Sequence, residues 1–549
     1  MTQHDRAIDE LTPWRRPAPK ARLLVKSLYG WGAERLTIVM CLVAAAPFVA
    51  AAAFAPALLN LAPTVDMLTP VAAARAVNGG AADIAAQEAP FYLTLLLAAD
   101  AFADAPGRIH LLAKAFGAGL VGMALAALTS VRFPAVGAVF LTAVAAAYVA
   151  APFSGPTELA LAVFLVATVS CLCAPAVDRR RRAAIEGVVA GVALSALWML
   201  DPVFSLAGFI VLTACPFLSG RCGMVRYGAT AAALALAAGA FELLAPGINM
   251  ARVDLAASAF DGADRFSGGQ SVAGLSGVAA SAGAVLFLAA VFGGRAYARS
   301  WALAAAFLAL SFVAARLAGA NAWLLFAAAS VIATFSTESP FYDGVFRAHD
   351  RASIAVAGVA AALTIFWTAA LGGHAASQMR LQHQVAQSAP ADIRSQLALV
   401  QPGGPTIATW IEEGRFSTPE ARELFALAPV DQSAMLLAAA ADARKFSAQG
   451  ASVAILTGAD TACVLARGAA CHADGPAAAS VADIVFVPRL DLDPATAAAK
   501  IRAEALLYTE FKLARRDPLW EVWLRRGSAA RSAFDADARF GDALSTAAR

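Results

Sequence analysis

The ionisable side chains at the ends of long apolar runs are the first candidates for chemistry in this sequence. Asp66 follows an apolar run long enough to cross a bilayer, and Arg75 stands beyond it at a spacing that suits the same helix. Arg108 begins a second run, Glu158 opens a later one in GPTELALAVF, and Arg265 lies in DGADRFSGG. A carboxylate can accept a proton, and an arginine can hold a phosphate through paired hydrogen bonds. The elements that carry these residues decide whether they can meet.

Four more polar residues stand within or beside apolar runs. His110 and Lys114 are one helical turn apart, and ionisable groups inside an apolar span are candidates for function by default. We expect them to face either the bundle interior or the outer headgroups. Tyr92 is typical of the aromatic belt at a membrane interface, with a ligand contact as the alternative. Asp201, before Pro202, is typical of a helix N-terminus, with a substrate contact as the alternative.

The composition requires lipid as the solvent for much of the chain. Of 549 residues, 60% are hydrophobic and only 15% are charged, and the mean hydropathy is +0.66. A helix needs about 20 mainly apolar residues to cross a hydrocarbon core. The sequence therefore predicts an α-helical polytopic membrane protein with about eleven spans, near residues 36–58, 108–130, 133–152, 157–176, 184–200, 202–218, 228–246, 272–293, 300–318, 321–336 and 352–372.

Basic residues in the short loops predict the orientation of these spans. Residues 1–35 are rich in Lys and Arg, and Arg132, the Arg179–Arg182 run and Arg226 fall in alternate loops. Because cytoplasmic loops are enriched in positive charge, the N-terminus is predicted to be cytoplasmic, and the 60–107 loop and all residues from 373 onward to lie outside. Topology alone would explain these basic loops. The net charge of +3 argues against a nucleic-acid partner.

High alanine content and a preference for arginine over lysine favour a GC-rich bacterial genome, so we expect a bacterial inner membrane and a periplasmic outer side. The cysteines agree with this orientation. Cys463 and Cys471 lie in the predicted outer tail, where an oxidising compartment permits a disulfide across CVLARGAAC. Two free thiols are the alternative.

A change of composition near Gly372 divides the chain. We predict a cytoplasmic segment at 1–35, a transmembrane domain at 36–372 and a small extracytoplasmic α/β domain at 373–549. In the last part, STPEARELFAL and DQSAMLLAAAADARKF predict helices, and ASVAILTG and DIVFVPRL predict strands. A long helix is predicted at about 494–516. Trp520 and Trp523 either anchor this domain to the membrane or pack in its core.

The 60–107 loop predicts two helices on the outer membrane surface. MLTPVAAARAV predicts a short helix after Asp66, ended by Gly79-Gly80. QEAPFYLTLLLAADAFADAPGR predicts a second helix from Pro90, and its two aspartates make it a poor span. These helices would hold Asp66 near the boundary of the bilayer.

The order of these elements resembles the GT-C superfamily of integral membrane glycosyltransferases, in particular the branch with the protein O-mannosyltransferases and the lipid A aminoarabinose transferase. Members of that branch carry an acid after the first span, a Gly-Gly or Gly-Asp stop, a Pro-Pro-Leu-Tyr-Tyr-Trp interfacial helix and an Arg-Leu-Pro second span. They also carry a second acid in a Thr-Asp-Xaa-Xaa-Leu-Ala pattern and an Arg-Phe pair in a later loop. The matching positions here are Asp66, Gly79-Gly80, Pro90 with Tyr92, Arg108, Glu158 and Arg265-Phe266.

This resemblance covers residues 36–372 and implies a GT-C-like membrane domain. It implies an inverting transfer of a sugar from a polyprenyl-phosphate donor to an envelope glycan, lipid or protein acceptor at the bilayer surface. Asp66 and Glu158 would be the catalytic acids, with Asp66 orienting or deprotonating the acceptor, or binding Mg or Mn if a divalent metal is used. The remaining implied roles are donor-phosphate binding by Arg265, Arg75 and Arg108, and substrate binding by Tyr92, His110, Lys114 and Asp201.

Two departures from the family pattern keep other functions open. Met67 stands where the family has Glu, and Asp201 stands where it usually has Lys. A catalytically inactive relative that acts as an assembly scaffold would account for both. A transporter or flippase for lipid-linked glycans is the other alternative, and the scarcity of paired charges and discontinuous helices in the spans argues against it.

Overall fold

The computed structural model describes residues 19–78, 89–152, 154–173, 179–218, 222–261, 309, 324–325, 327–329, 331, 369, 372–387, 389, 393–394, 397, 429–457, 461–466, 471–472, 476–489, 494–516 and 519–528. Most of these residues are helical, and a small sheet lies in the C-terminal part. The predicted fold class is therefore confirmed in outline, as apolar helices followed by a C-terminal α/β domain.

Ten helices precede residue 262 in the part of the chain that the structure describes. They are α1 (Pro19–Leu58), α2 (Val65–Asn78), α3 (Pro90–Asp100), α4 (Pro106–Thr129), α5 (Ala135–Ala150), α6 (Pro156–Leu172), α7 (Arg180–Leu200), α8 (Pro202–Leu218), α9 (Gly223–Leu244) and α10 (Ile248–Asp261). Residues 372–387 are also helical. The C-terminal elements are α11 (Pro429–Ala448), β1 (Val453–Ile455), α12 (Thr461–Ala466), β2 (Cys471–His472), α13 (Pro476–Val481), β3 (Ile484–Pro488), α14 (Pro494–Glu510), β4 (Phe511–Arg516) and β5 (Trp520–Arg525).

Four of the described helices are long and apolar enough to cross a membrane. They are the Glu34–Pro56 part of α1, with α4, α7 and α9, while α3, α5, α6 and α8 are apolar but shorter. Each of the first seven predicted spans coincides with a helix. The last four, between 272 and 372, lie largely outside the described residues. The count of about eleven spans therefore stays a prediction.

Helices α6 to α9 pack against one another in alternating directions. Ser170 near the end of α6 donates a hydrogen bond to the carbonyl oxygen of Glu186 near the start of α7 (3.1 Å). Asp201 alone separates α7 from α8, and the side chain of Arg226 near the start of α9 reaches Glu186. The starts of α6 and α8 and the ends of α7 and α9 therefore lie at one end of the bundle. Glu158 and Asp201 mark this end, and Glu186 marks the opposite one.

Small residues bring α7 and α9 into close contact. A Cβ atom added at Gly187 would lie 2.5 Å from the carbonyl oxygen of Arg226, and one added at Gly191 would lie 2.6 Å from that of Thr230. Glycines spaced as Gly-x-x-x-Gly let two apolar helices approach backbone to backbone. The sequence of α7 thus sets the distance at which α9 packs.

Glu186 binds three arginines at its end of the bundle. Its Oε2 accepts hydrogen bonds from Nη2 of Arg132 (2.7 Å) and of Arg226 (3.0 Å), and its Oε1 accepts one from Nε of Arg182 (3.0 Å). Arg182 also pairs with Glu34 of α1 (2.8 Å). Arg132 and Arg226 are fully buried. The prediction that topology alone explains these basic residues is therefore wrong for Arg132 and Arg226, which are buried partners of one carboxylate.

Within the described residues, the C-terminal domain contains a five-stranded sheet in the order β2-β1-β3-β5-β4. β1 is parallel to β2 and β3, whereas β5 is antiparallel to β3 and β4. Apolar side chains of β1, β3, α13, α14 and β5 form its core, with Val485, Leu507 and Trp523 among them. The predicted helix at DQSAMLLAAAADARKF and the two predicted strands are confirmed as α11, β1 and β3.

Two predictions about this domain are changed by the structure. The helix expected to run to residue 516 ends at Glu510, and Phe511–Arg516 forms β4, because this segment pairs with β5. Trp520 and Trp523 are buried, and Nε1 of Trp520 donates to the carbonyl oxygen of Met435 (3.1 Å). Both tryptophans therefore pack within the domain. The helix expected from Ser417 lies outside the described residues.

The chain forms two compact units. One comprises residues 1–52, 89–92 and 114–375, and the other comprises residues 53–88, 93–113 and 376–549. In the second unit, the N–H of Ala62 donates to the carbonyl oxygen of Gln382 (3.1 Å), and α12 packs against α2. The segment that carries Asp66 therefore folds together with the C-terminal part of the chain.

Candidate functional site

Glu158 is held at the start of α6 by the turn that precedes this helix. Pro156 begins α6, because its fixed φ and missing N–H suit the first helical position. The backbone N–H of Gly155 donates a hydrogen bond to Oε2 of Glu158 (2.8 Å). This is one half of a capping box, since glycine has no side chain for the other half. The carboxylate is thus fixed at the end of the bundle and remains half-buried.

Lys114 ties α4 to the connection that leads to Glu158. Its side chain is buried, and Nζ donates hydrogen bonds to the carbonyl oxygens of Ala151 (2.5 Å) and Pro152 (3.4 Å). These carbonyls end α5, where a cation is favourable because the helix dipole is negative there. Lys114 also attracts the Glu158 carboxylate electrostatically. One ammonium group therefore holds the turn and supplies positive charge to the acid.

Three further polar side chains lie within electrostatic reach of Glu158. They are Tyr92, Tyr148 and His374. Tyr92 is fully buried, and its hydroxyl makes no hydrogen bond to any residue that the structure describes. Burial raises the pKa of Tyr92, and the nearby Glu158 raises it further, so this hydroxyl stays protonated. A buried hydroxyl of this kind is typical of a group that bonds to a ligand or a water molecule.

Three of the predicted site residues therefore lie in one compact unit, with Lys114 and Tyr92 within electrostatic reach of Glu158. They combine a carboxylate, an ammonium group and a phenol at the end of an apolar bundle. We call this set, with Tyr148 and His374, the Glu158 cluster. The cluster offers a proton acceptor beside a cation, which is the pairing that general base catalysis on an anionic substrate needs.

Asp66 and Arg75 lie on α2 in the other compact unit. The backbone of Asp66 is the second residue of this helix, and its side chain lies outside the described part. Nη2 of Arg75 pairs with Oδ1 of Asp100 (3.2 Å) and donates to the carbonyl oxygen of Asp104 (2.9 Å). Arg75 thus links α2 to α3, and a phosphate would have to displace Asp100 to bind it. Arg108 is exposed on α4.

The structure also places two predicted substrate-binding residues, His110 and Asp201. His110 is buried on α4. Oδ1 of Asp201 accepts hydrogen bonds from the N–H groups of Val203 (2.8 Å) and Phe204 (3.3 Å). Asp201 is therefore the N-cap of α8, as its position before Pro202 indicates. Their contacts with a substrate stay predictions.

Two other predictions concern residues outside the described part of the chain. They are the donor-phosphate role of Arg265 and the helix end at Gly79-Gly80. Among the cysteines, Cys463 is disulfide-bonded, while the side chain of Cys471 is not described. The five remaining cysteines are free thiols.

The described side chains do not form a metal centre. Within that part of the chain, no group of three or more His, Cys, Asp and Glu residues is arranged to hold a metal ion. The side chain of Asp66, which was expected to bind Mg or Mn if a metal is used, is not among those described. The metal role of Asp66 stays a prediction.

Arg252 is a candidate functional residue that was not identified from the sequence. It lies on α10 and is fully buried, and its Nε donates to the carbonyl oxygen of Trp198 (3.1 Å) at the Glu158 end of α7. Nearby, Nε1 of Trp198 donates to Oδ1 of Asn249 (3.2 Å). The available signal was a charged residue within the apolar stretch INMARVDLAASAF, since buried charges in apolar helices often serve a function.

Comparisons of the chain with protein-family models, with curated proteins and with solved structures find no match.

Proposed function

We propose that this chain is a membrane glycosyltransferase of the GT-C type. It moves a sugar from a polyprenyl-phosphate donor to an envelope glycan, lipid or protein acceptor, at the periplasmic face of a bacterial inner membrane. The observation that carries this proposal is the Glu158 cluster: a half-buried carboxylate with a buried ammonium group and a buried phenol within electrostatic reach, at one end of an apolar helix bundle.

The distribution of charge along the bundle supports a periplasmic site. The end opposite Glu158 carries the Arg179–Arg182 run at the start of α7. The basic ends of membrane helices face the cytoplasm. By this rule, the Glu158 end faces the periplasm, where a lipid-linked sugar and an envelope acceptor would be present together.

The apolar helices support a lipid-linked donor. Four described helices are long and apolar enough to span a bilayer. A donor with a polyprenyl tail can remain in the hydrocarbon while its phosphate and sugar reach the end of the bundle. Such a donor would need no nucleotide site on the protein.

The reaction needs a base and a source of positive charge. The acceptor hydroxyl oxygen attacks the anomeric carbon, the bond from that carbon to the phosphate oxygen breaks, and the phosphate leaves with the electron pair. The hydroxyl proton passes to a carboxylate, for which Glu158 is our candidate. Lys114 supplies positive charge at this end. The family resemblance adds Asp66 as a second acid and Arg265, Arg75 and Arg108 as phosphate ligands, and these roles stay predictions from the sequence.

A transfer assay with the purified full-length chain tests this proposal. The protein in nanodiscs is incubated with a mass-tagged polyprenyl-phosphate sugar and envelope extract, and the acceptors are analysed by mass spectrometry. We expect an envelope component that gains the mass of the sugar. An inactive scaffold would give no such product with any lipid-linked sugar.

A flippase for lipid-linked glycans is the second candidate. Buried paired charges are a feature of transporter bundles, and the Glu186 ion pairs contradict the expected scarcity of such pairs. A flippase would move a fluorescent lipid-linked sugar across a proteoliposome membrane without forming a glycosylated product. A glycosylated acceptor in the transfer assay would support the transferase and exclude a function limited to flipping.

A further inference from the structure

Three exposed apolar side chains form a stripe along the first half of α7. They are Ile185, Val188 and Val192, with 58%, 48% and 57% of their surfaces exposed. At 3.6 residues per turn, these positions lie on one face of the helix. The same face is buried further along the helix, at Ser195 and Met199. The exposed apolar stripe is therefore short and has a defined end.

Arg181 lies at the other end of this stripe. It is exposed and precedes Ile185 by one helical turn, on the same face of α7. Val192 is eleven positions after Arg181, a distance of about 16 Å along a helix axis. Half of a bilayer's hydrocarbon core is about 15 Å thick. The arginine and the stripe together therefore match the headgroup and the acyl layer of one leaflet.

The positive charge of Arg181 has no partner in the described part of the chain. The neighbouring Arg182 pairs with Glu34 (2.8 Å) and with Glu186 (3.0 Å). The three arginines at 179–181 are exposed, and no described residue forms an ion pair with any of them. The start of a helix also carries partial positive charge from its backbone dipole. An anion is therefore favoured beside Arg181.

We propose that Arg181 and the apolar stripe bind one anionic phospholipid, in the leaflet at the Glu186 end of the bundle. The guanidinium group donates paired hydrogen bonds to the lipid phosphate. One acyl chain packs along Ile185, Val188 and Val192 and ends where the face of α7 becomes buried. We call these four residues the α7 lipid site.

The unpaired positive charge favours a lipid with a net negative charge. Phosphatidylglycerol has only the charge of its phosphate, whereas phosphatidylcholine carries its own cation beside the phosphate. Basic residues next to a membrane helix therefore attract the anionic lipid more strongly. The α7 lipid site requires that α7 lies in a bilayer, but it does not require sugar transfer. Failure of the transfer assay would leave this proposal standing.

Photo-crosslinking to the full-length chain tests the α7 lipid site. The protein is placed in phosphatidylcholine nanodiscs that contain a small fraction of a probe, either phosphatidylglycerol or phosphatidylcholine with a diazirine in one acyl chain. After illumination, labelled peptides are identified by mass spectrometry. We expect the phosphatidylglycerol probe to label residues 185–192 about fivefold more than the phosphatidylcholine probe does. Equal labelling by the two probes, or no label in this segment, would overturn the proposal.

Three variants distinguish a defined site from a general attraction to the basic run. Arg181→Gln removes the charge that is in line with the stripe. The matched change Arg179→Gln removes the same charge from the residue that precedes the helix, where the backbone is extended. We expect Arg181→Gln to lower labelling by the phosphatidylglycerol probe about fivefold, whereas Arg181→Lys and Arg179→Gln should retain most of it.

Thermal midpoints equal to that of the natural chain show that the variants fold alike. The comparison of the two probes on the natural chain needs no variant, so it tests the site even if one variant is unstable. An equal loss of labelling in Arg181→Gln and Arg179→Gln would show only a general attraction to positive charge and would overturn the proposed site. Unchanged labelling in Arg181→Gln would overturn it as well.

Discussion

Nζ of Lys114 on α4 lies 2.5 Å from the carbonyl oxygen of Ala151, the residue that follows the last turn of α5. This hydrogen bond connects a buried ammonium group to the chain segment that leads to Glu158. The same ammonium group attracts the Glu158 carboxylate. The position of the proposed base therefore depends on a lysine from another helix.

Replacing Lys114 with methionine tests this dependence. Lys114→Met keeps much of the side-chain volume but removes the ammonium donor from the carbonyl groups of Ala151 and Pro152, while Ala151 keeps its hydrogen bond from the N–H of Ser154 (3.0 Å). A hydrogen bond to a charged group contributes about 1.5–3 kcal/mol, so we expect a lower thermal midpoint in nanodiscs and slower sugar transfer. The control is Lys512→Met, which changes an exposed lysine on β4. A thermal midpoint equal to that of the control would contradict the structural role of Lys114.

Replacing Glu186 with glutamine tests the ion pairs at the opposite end of the bundle. The Glu186 carboxylate lies 2.7 Å from Arg132 and 3.0 Å from Arg226. Glu186→Gln removes its charge and leaves both arginines buried without an ion pair. Breaking a buried ion pair from one side costs about 3–5 kcal/mol, so we expect a large loss of thermal stability. Glu504→Gln, at an exposed position on α14, is the control. Equal stability of the two variants would show that the Glu186 ion pairs contribute little.

Adding one methyl group at Gly191 tests the close contact of α7 and α9. In Gly191→Ala, the new Cβ would lie 2.6 Å from the Thr230 carbonyl oxygen, so the two backbones must separate. Overpacking of this kind costs about 1–3 kcal/mol. The matched change Gly228→Ala, on α9, meets no atom within 4 Å. We expect only Gly191→Ala to lower the thermal midpoint, and a similar effect of both changes would contradict the observed packing.

Asp483 makes the stability of the C-terminal domain depend on acid pH. Its carboxylate accepts hydrogen bonds from the N–H (3.0 Å) and Oγ (2.9 Å) of Ser452 and from Oγ of Ser528 (2.7 Å). Burial by itself would raise the pKa of Asp483, but these hydrogen bonds and the charge of Arg525 together lower it. The folded state therefore holds this proton less tightly than the unfolded chain does.

The stabilisation from Asp483 is complete above the unfolded pKa of about 4 and is lost as the pH falls through the lower folded pKa. We expect pepsin to cleave the domain in the full-length chain progressively faster below about pH 4. In Asp483→Asn, this dependence should be weaker. An identical pH profile for both proteins would contradict the role of this carboxylate.

The sequence predicted the elements whose signals are local. Pro90 and Pro202 each begin a helix where expected, because proline suits the first helical position. The strand β4 was missed, because FKLARR has no strong local signal and forms a strand only by pairing with β5. Long-range pairing of this kind overrides local propensity.

The candidate site could be predicted residue by residue but not as an arrangement. Glu158, Lys114 and Tyr92 were identified from their places beside apolar runs. Their proximity depends on how α3, α4 and α6 pack, which no single stretch of sequence encodes. For the same reason, the buried ion pair between Arg132 and Glu186, which are 54 positions apart in the chain, could not be predicted.

The rate of sugar transfer by Glu158→Gln tests the central proposal most directly. The variant and the natural chain, each in nanodiscs and with equal thermal midpoints, are compared under single-turnover conditions with a mass-tagged polyprenyl-phosphate sugar, and Glu504→Gln serves as the control. Loss of a catalytic charge typically slows the chemical step by about 10²–10³, and we predict this loss for Glu158→Gln alone. Transfer at the natural rate by Glu158→Gln would contradict the assignment of Glu158 as the base.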